Sequence, residues 1–595
     1  MAKITFISFY NDFSVGVNVL SRVLIEAGHK VSTIFFKLPC QKEIEWFKEE
    51  PGCMETFSPY GDIVGSNSDV NKASTRDIKI LLDLILELKT DILCISTRSP
   101  DRDIALLVLP QIREIFKGII LAGGYGPTFD PETYSDLVDY VYRGEAENKI
   151  VELISLIECG KSIEDFDNIS YKKNGELVVN KFGEPEEMPL REQLINKDSF
   201  YIDYDKLYTY ENRHELIRYP YSYSIFFGRG CINTCSYCSA GNWRNLYKKE
   251  GFRIPYRRNR QIESVINELI KAKNSGIIFV NFRDEYLTAK FEVLKQFFHM
   301  YENEVNIPFW AYLVPKHVVN DPEILRIAVD AGFIDTVVGF QSGSDYINRT
   351  FFTRPLPNKY HVEYAHLLAK YKINVKYDLI TFNPAETDEH VKETFKLIQA
   401  LPKERAYLSC ARLFFLPGTP ASKLFAKFKN TPGDFERYYR NTLLYLICFV
   451  MPENEFGKIL NNQKMISSWQ NLLAFYKDYL EKRGIAFPIG THDVPGSITT
   501  HRYQRMLKKY NYPEIIVWGN GEYYKEMVHI FKGESIRYHI DDEVNGNGIE
   551  TDISPPEVLS GIKEQIPVFI CSSRKQEINT KIMNEYSNFP GKIIV

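Results

Sequence analysis

Apolar residues in the first part of the chain fall into short runs of strand length, separated by stretches with helical spacing. The strand-like runs are KITFISF, KVSTIFF, DILCIST, GIILAGG and DYVYRG. The helical stretches between them cover residues 17–27, 78–89, 108–116 and 131–137. Strands that alternate with helices are typical of a doubly wound parallel sheet. We therefore expect an α/β domain over residues 1–159, whose ligands would bind at the carboxyl ends of the strands.

The same alternation returns over residues 216–430. Its strand candidates are YSIFFGRG, GIIFVNF, IPFWAYL, TVVGFQSG, VKYDLITF and YLSCARLFFL. Helical stretches separate most of them, which fits a full or partial parallel barrel of the TIM type. Between the two alternating regions, residues 160–215 are predicted to form a connector that contains a hairpin, ISYKKNGELVVN, with Asn-Gly at its turn.

The C-terminal part of the chain carries two further patterns. Residues 431–510 show helical and aromatic patterns without clear strands, and residues 511–595 indicate a small Rossmann-like α/β domain. That domain begins with Gly519-Asn-Gly521, but Tyr524 stands where a dinucleotide-binding loop has its third glycine. Asp541-Asp542 follows the next strand, about where a ribose-binding acid would lie. We predict an accessory or substrate-recognition role for this domain, with a structural role as the alternative.

Composition narrows the classes of function. The chain has 595 residues, of which 44% are apolar and 25% charged, and its formal net charge of −4 provides no polycationic surface for nucleic acid. The longest apolar run, residues 442–451, is far shorter than the roughly 20 residues that span a bilayer, and the N-terminus lacks a signal-peptide pattern. Apart from one cluster, the ten cysteines are scattered, as in a reducing cytosol. We expect a cytoplasmic protein with no membrane span and no nucleic-acid partner.

Three cysteines cluster directly after the first strand candidate of the second region. Cys231, Cys235 and Cys238 stand in FFGRGCINTCSYCSAGNWR. A loop of this kind can wrap three thiolates around one soft metal centre. A disulfide would leave an odd thiol, and structural zinc generally needs four ligands, which no second Cys or His pair of matching spacing provides. An iron–sulfur cluster is the preferred interpretation, ahead of zinc and of a purely structural role.

Three ligands on a four-iron cluster would leave one iron open, as a catalytic metal centre requires. The pattern CxxxCxxC after a first barrel strand resembles the radical S-adenosylmethionine superfamily. This resemblance implies a [4Fe–4S] cluster whose open iron binds the amino and carboxylate groups of S-adenosylmethionine. It also implies reductive cleavage of the sulfonium to a 5′-deoxyadenosyl radical, and therefore an external electron donor such as flavodoxin or ferredoxin. Tyr237 matches the usual aromatic position between the last two cysteines.

Later segments resemble further parts of the same barrel, in the same order. Residues 283–285, Arg-Asp-Glu, occupy the place of the family's Gly-Gly-Glu motif, where a carboxylate accepts hydrogen bonds from the ammonium group of the cofactor. A solvated acidic turn is the alternative for these residues. The other matching segments are GFQSGSDYINR, KYDLITFNPAET and FFLPGTP. The resemblance assigns S-adenosylmethionine binding to Tyr237, Asp284, Glu285, Gln341, Ser342 and Asp378.

The α/β domain ahead of the barrel resembles the cobalamin (B12)-binding domain of one large radical S-adenosylmethionine subclass. The matching segments are AGHKV, AGGYGPTFDPE and DYVYRGEAE. Phe13 stands where many such domains carry the histidine that binds cobalt, so the corrin would bind without a histidine from this motif. A degenerate domain that keeps the fold without the cofactor is the alternative. Cobalamin contacts are predicted at Ser14, Val15, Gly16, Ser96, Thr97, Arg98, Gly123, Gly124, Tyr125 and Gly126.

Together these resemblances imply an enzyme whose difficult chemistry is carried by its cofactors. Besides the cluster ligands, no side chain is predicted to be catalytic. The favoured reaction is methylation of an unactivated carbon or phosphorus centre in a small-molecule metabolite. A non-methylating rearrangement, cyclisation or oxidation is the second interpretation. A non-catalytic metal- or corrin-binding module is the third.

Overall fold

The computed structural model places the chain in two compact units, Met1–Gly490 and Thr491–Val595. It describes residues 1–11, 14–37, 56–57, 73–185, 192–193, 196–213, 222–255, 257–287, 289–413, 415–426, 428, 434–483, 514–519, 536–540, 553–570 and short pieces after residue 577. Among these residues, no helix combines the length and the apolar character that crossing a membrane requires.

The N-terminal sheet has nine strands. They are β1 Lys3–Phe9, β2 Lys30–Phe36, β3 Ile92–Ser96, β4 Ile119–Gly123, β5 Tyr140–Tyr142, β6 Ile169–Lys173, β7 Glu176–Val179, β8 Ser199–Asp203 and β9 Lys206–Thr209. Their order across the sheet is β9-β8-β2-β1-β3-β4-β5-β6-β7. Five neighbouring strands of this sheet, β2-β1-β3-β4-β5, are all parallel, which confirms the predicted parallel sheet.

Helices cover both faces of this sheet. They are α1 Val15–Glu26, α2 Thr75–Leu88, α3 Arg102–Ile115, α4 Tyr125–Phe129, α5 Pro131–Ser135 and α6 Ile150–Glu158. Successive side chains of a strand point to opposite faces. On β1, Ile7 and Phe9 join a core with α2 and α3, whereas Ile4 and Phe6 join a core with α1 and α6. Two cores on opposite faces are what a doubly wound sheet requires, so that prediction is confirmed.

The segment predicted as a connector supplies both edges of this sheet. The hairpin β6–β7 pairs with β5 at one edge, and its turn residues Asn174 and Gly175 have φ of 54° and 84°. Positive φ at both turn residues is the geometry that Asn-Gly favours in a two-residue hairpin, so the predicted hairpin is confirmed. At the other edge, β8 lies parallel to β2, and β9 lies antiparallel to β8. The sheet therefore continues to Thr209.

The second sheet of this unit is an open barrel of six parallel strands. They are β10 Ser222–Ile225, β11 Phe279–Phe282, β12 Phe309–Trp310, β13 Phe333–Gln341, β14 Asn374–Phe382 and β15 Ala406–Arg412. They follow one another in chain order, and Thr56–Phe57 closes the far edge antiparallel to β15. Every predicted strand of this region is present. The alternating pattern therefore predicted a partial barrel correctly.

Helices surround the barrel and continue beyond it. They are α7 Ser239–Lys249, α8 Ile262–Asn274, α9 Phe291–Met300, α10 Pro315–Asn320, α11 Glu323–Ala331, α12 Asp345–Thr350, α13 Asn358–Lys370, α14 Asp388–Ala400, α15 Ala421–Leu424, α16 Asp434–Val450, α17 Glu453–Leu460, α18 Gln463–Ile466 and α19 Trp469–Lys482. Helix α16 buries Tyr445 and Leu446 in the barrel core. The predicted helical segment is thus present over its described residues and packs on the barrel.

The C-terminal unit contains a five-stranded parallel sheet. Its strands are β16 Ile515–Trp518, β17 Ile536–Ile540, β18 Ile553–Ser554, β19 Val568–Ile570 and β20 Ile593–Ile594. Their order is β18-β17-β16-β19-β20, the 3-2-1-4-5 order of a Rossmann fold, which confirms the predicted class. Gly519, directly after β16, has φ of 121°. The rest of the glycine-rich loop with Tyr524, and Asp541-Asp542, lie outside the described residues.

Candidate cofactor-binding site

The cysteine loop follows β10 and leads into a helix: Cys231 lies six residues after Ile225, the last residue of β10. Cys238 is the residue before α7, and the side-chain amide of Asn242 donates to the carbonyl oxygens of Cys235 (3.1 Å) and Cys238 (2.7 Å). On the far side, the N–H of Ser236 donates to the carbonyl of Phe352 at 3.1 Å. A Cβ atom at Gly241 would collide with the loop backbone, so the helix lies directly against the loop. The loop is therefore held from both sides.

Burial disfavours ionisation of two thiols of this loop, Cys231 and Cys238. Burial raises the pKa of the Cys231 thiol to about 12, so ionisation there requires a nearby positive charge such as that of iron. The backbone N–H of Asn233 donates to Cys231 Sγ at 3.4 Å. Among the described residues, no three Cys, His, Asp or Glu side chains converge on the position of a single metal ion. A cluster binds each thiolate through a different iron, so its ligands need not converge in that way.

Tyr237 is tied to the rest of the barrel by one arginine. Arg354 donates to Tyr237 Oη at 3.1 Å and to the carbonyl of Gly339 at 2.6 Å. Its guanidinium also lies 3.2 Å from His361 Nε2. Burial, with the adjacent cation, lowers the pKa of His361 to about 3, so this imidazole stays neutral. Arg354 thus fixes the aromatic side chain of the loop, a role that the sequence does not reveal.

Asp284 is fully buried behind the loop. Its carboxylate accepts from the backbone N–H groups of Phe227 (2.9 Å) and Gly228 (2.8 Å) and pairs with Arg257. Burial raises its pKa, while these partners favour the ionised form. The structure therefore places Asp284 as a support of the segment that leads to Cys231. Its predicted contact with S-adenosylmethionine stays a prediction.

Glu285 faces the opposite way from its neighbour Asp284. It lines a cavity of about 450 Å³, and its buried Oε2 accepts no hydrogen bond from the described residues. Burial raises the pKa of this carboxyl. A buried carboxylate oxygen without a partner is costly, and an ammonium or hydroxyl group in the cavity would satisfy it. This orphaned oxygen therefore fits the amino group of S-adenosylmethionine.

The cavity joins the N-terminal sheet to the cysteine loop. Of the predicted residues, those that line it are Ser14, Val15, Gly16, Ser96, Thr97, Arg98, Gly123, Gly124, Tyr125, Cys231 and Glu285. Those that do not line it are Gly126, Cys235, Tyr237, Cys238, Asp284, Gln341, Ser342 and Asp378. Phe13 lies outside the described residues. Apolar residues of the sheet, among them Phe6 and Leu121, form the inner wall, so the cavity reaches into the α/β domain.

Two glycines show how closely the strand ends approach one another. Gly124 has φ of 99°, and a Cβ atom there would lie 2.6 Å from the carbonyl oxygen of Thr97. A Cβ atom built at Gly126 would lie 2.9 Å from Tyr134 Oη and 3.0 Å from the carbonyl oxygen of Arg98. Gly16, by contrast, faces open space. Gly124 and Gly126 therefore bring the loops after β3 and β4 together, and Gly16 leaves room for a ligand.

The remaining predicted residues lie along the barrel strands. Gln341 ends β13 with φ of 68°. The hydroxyl of Ser342 is buried and accepts from the N–H of Ser344 at 3.1 Å. Asp378 forms an ion pair with Lys376 at 3.2 Å on β14. The structure brings these residues to the barrel strands but not to the cavity wall, and their cofactor contacts stay predictions.

Two acids of the N-terminal domain bind two arginines of the barrel at the cavity wall. Glu145 accepts from Arg258 at 2.6 and 2.9 Å, and Glu147 pairs with Arg229, two residues before Cys231. The two arginines face one another on a short antiparallel ladder, Gly228–Arg229 with Arg258–Asn259. Both acids stand in DYVYRGEAE, one of the segments that carry the resemblance, but nothing in the sequence pointed to their arginine partners.

An aromatic contact closes the same wall. Trp243 on α7 lies 4.8 Å from Tyr125 and 6.1 Å from Phe129, measured between ring centroids. Tyr125 and Trp243 both line the cavity. Tyr125 was predicted from the sequence as a cobalamin contact, whereas nothing in the sequence pointed to Trp243. Trp243 and Tyr125 together form an aromatic part of the cavity wall.

Comparison with protein families identifies the barrel. Residues 225–398 match the model of the radical SAM superfamily. An anaerobic magnesium-protoporphyrin IX monomethyl ester cyclase from Rubrivivax gelatinosus is 24% identical over 397 residues, 64% of this chain and 65% of that protein. Bacteriochlorophyllide d C-8(2)-methyltransferase from Chlorobaculum tepidum is 22% identical over 397 residues, 64% of this chain and 79% of that protein. The match spans less than two thirds of the length of the cyclase.

Two solved structures share the fold over most of the chain. One is the radical S-adenosylmethionine methyltransferase TsrM from Kitasatospora setae with tryptophan and a cofactor analogue bound, at a TM-score of 0.53 and 15% identity, covering 71% of this chain and 76% of that one. The other is the apo form of the cobalamin-dependent enzyme OxsB, at a TM-score of 0.56 and 13% identity, covering 86% and 84%.

The family match and the shared fold confirm the resemblance that the cysteine motif predicted. A radical S-adenosylmethionine domain implies a [4Fe–4S] cluster and S-adenosylmethionine as cofactors. The chain therefore contains a radical S-adenosylmethionine domain, within a fold that it shares with cobalamin-dependent radical S-adenosylmethionine enzymes.

Proposed function

We propose that this protein is a cobalamin-dependent radical S-adenosylmethionine enzyme that methylates an unactivated carbon, or a phosphorus centre, of a small molecule. The proposal rests on one cavity. The strand ends predicted to bind cobalamin line it, and so do Cys231, a predicted cluster ligand, and Glu285, which is predicted to bind S-adenosylmethionine. A corrin and S-adenosylmethionine bound there would be neighbours. Two cofactors that act on one substrate atom need that proximity.

Different residues of the chain would hold the cluster, S-adenosylmethionine and the corrin. Cys231, Cys235 and Cys238 would bind three irons of the cluster, and Glu285 would accept hydrogen bonds from the ammonium group of S-adenosylmethionine. The glycine-rich loops after β3 and β4 would lie against the corrin. When bound, these cofactors supply the one-electron chemistry that breaks an unactivated C–H bond and the methyl group that replaces the hydrogen. Trp243 and Tyr125 would keep bulk water from the reacting atoms.

A second candidate keeps the radical chemistry without methylation. The matched relatives include two anaerobic magnesium-protoporphyrin IX monomethyl ester cyclases, from Rubrivivax gelatinosus and from Synechocystis. Cyclisation or oxidation is therefore the alternative reaction on the same scaffold. A non-catalytic module is less favoured, because Glu285 would then keep a buried oxygen that no described residue satisfies.

The proposal is tested with anaerobically purified full-length protein, reconstituted with iron and sulfide and then with hydroxocobalamin. We expect a broad iron–sulfur absorption that the triple change of Cys231, Cys235 and Cys238 to Ala abolishes, together with corrin bands that survive this change and gel filtration. S-adenosylmethionine with a deuterated methyl group, a reductant and a metabolite extract should then yield a product that carries the label.

Each outcome separates the candidates. An unlabelled product formed together with 5′-deoxyadenosine would replace methylation by cyclisation or oxidation. Absence of corrin bands after gel filtration would remove cobalamin from the proposal. Absence of any 5′-deoxyadenosine from protein with an intact cluster would leave the non-catalytic module.

A further inference from the structure

Charged side chains of both signs line the cavity. The arginines are Arg98, Arg229, Arg244, Arg258 and Arg283, and the glutamates are Glu145, Glu147 and Glu285. Four of these arginines have partners: Asp101 for Arg98, Glu147 for Arg229, Glu145 for Arg258, and the Ser224 hydroxyl with the Trp310 ring for Arg283. Arg98, Arg229 and Arg258 are thus paired with carboxylates, and Arg283 is held by a hydroxyl and a ring, so of these five arginines only Arg244 remains to be accounted for.

Arg244 is that remaining arginine. It is half-buried and lines the cavity, and no described side chain forms an ion pair or hydrogen bond with its guanidinium. It stands on α7, whose position is fixed by two neighbours along the helix. The N–H of Glu145 donates to Tyr247 Oη at 3.2 Å, and Asn242 donates to the carbonyls of the cysteine loop. The helix therefore presents to the cavity a guanidinium for which the described part of the chain offers no partner.

The chemistry of this cation selects its ligand. A guanidinium offers a planar fork of donors that matches the two oxygens of a carboxylate or a phosphate. Withdrawing an unpaired charge from water is unfavourable, and an anion offsets that cost. Next to Arg244 in the chain, Trp243 packs on Tyr125 to form an aromatic wall. An acid group attached to an apolar or planar body would fit both features at once.

We propose that Arg244 binds an oxyanion, a carboxylate or a phosphate, on a molecule that occupies this cavity. The identity of that molecule rests on the proposed function. The oxyanion belongs either to the phosphodiester of cobalamin or to an acid group of the substrate. In both cases the charged end of the ligand is recognised by the helix that follows the cysteine loop.

The test measures binding by titration calorimetry on the full-length protein, independently of turnover. The variants are Arg244→Met, which keeps the length and removes the charge, and Arg244→Lys, which keeps the charge without the fork. Arg253→Met is the matched control, because Arg253 is exposed and does not line the cavity. The probes are hydroxocobalamin, cobinamide, which has the same ring without the phosphodiester, inorganic phosphate and benzoate. Circular dichroism verifies that each variant is folded.

We expect Arg244→Met to weaken binding of at least one anionic probe by about tenfold or more, as the loss of a charge-assisted contact does. Arg244→Lys should restore part of the lost affinity, and Arg253→Met should bind the probes as tightly as the wild type does. If the variant Arg244→Met binds hydroxocobalamin more weakly but cobinamide as tightly as the wild type, the oxyanion belongs to the cofactor. If only phosphate or benzoate binds more weakly, the oxyanion belongs to the substrate.

Unchanged binding of all four probes by Arg244→Met would overturn this inference. Failure of the proposed function has a different signature. In that case the wild type would bind neither corrin, while the dependence of phosphate or benzoate binding on Arg244 would persist.

Discussion

Single residues around the cysteine loop act mainly through the backbone that they position. Asp284 accepts two backbone N–H groups of the segment that leads to Cys231, and Arg354 ties Tyr237 to the carbonyl of Gly339. Neither role is readable from the sequence. Arg354 and Tyr237 are separated by 117 positions, and one partner of Arg354 is a backbone carbonyl that any residue type would supply.

Gly124 provides a test at this scale. We predict that Gly124→Ala destabilises the protein by about 1–3 kcal/mol, because alanine would take a left-handed φ of 99° with its Cβ atom 2.6 Å from the carbonyl of Thr97. Chemical denaturation followed by circular dichroism measures the change. Gly16→Ala is the matched control, since nothing lies within 4 Å of a Cβ atom there. Equal stability of the two variants would contradict the strain assigned to Gly124.

At the scale of elements, periodicity located most strands and missed the edge pair β8–β9. The turn between these strands uses Tyr204 and Asp205, whose φ angles are 50° and 61°. Residues with side chains seldom adopt positive φ, so this turn lacks the glycine that marks most two-residue hairpins. The turn of β6–β7, by contrast, is Asn-Gly and was predicted. Turn chemistry, more than strand pattern, decided which hairpin the sequence revealed.

Glu386, in the loop between β14 and α14, provides a pH-dependent test. Burial raises the pKa of Glu386 to about 8, whereas an unfolded glutamate titrates near its ordinary value of 4.5. Between these values the native state holds a proton that the unfolded state has released. The free energy of unfolding should therefore fall as pH rises from about 5 to 8.

The variant Glu386→Gln removes this titration. Its unfolding free energy, measured in urea from pH 5 to 8, should fall less steeply with pH than that of the wild type. Glu389→Gln, an exposed carboxylate on the next helix, should keep the wild-type slope. Parallel slopes for wild type and Glu386→Gln would show that Glu386 is ionised in the native state.

At the scale of the whole molecule, the α/β domain and the barrel meet through buried ion pairs. The side chains of Glu145 and Arg258 are 3% and 6% exposed and form two hydrogen bonds. Sequence alone predicted two adjoining α/β regions and the cysteine motif, but could not place these partners together, because their contact depends on how the regions pack. The shared cavity likewise follows from that packing.

This ion pair can be tested by a double-mutant cycle. We predict that Glu145→Gln costs about 3–5 kcal/mol of unfolding free energy, because buried Arg258 loses its bidentate acceptor. Adding Arg258→Met should cost clearly less than the sum of the two single changes. The exposed pair Lys149–Glu152 is the control, for which removal should change stability by only about 0.5 kcal/mol. Additive effects in the Glu145–Arg258 cycle would mean that the pair does not couple the two regions.

The two edges of the N-terminal sheet also determine when this sheet is complete during synthesis. Strands β8 and β9 cover the edge beside β2, yet they are translated after every other strand of the sheet. Until residue 209 has left the ribosome, β2 exposes unpaired backbone groups that invite pairing with another chain. A fragment cut at residue 159 would keep that edge open permanently and lack the hairpin at the other edge. A fragment that ends at Arg213 contains all nine strands, and is therefore the shorter piece to express when the α/β domain is studied alone.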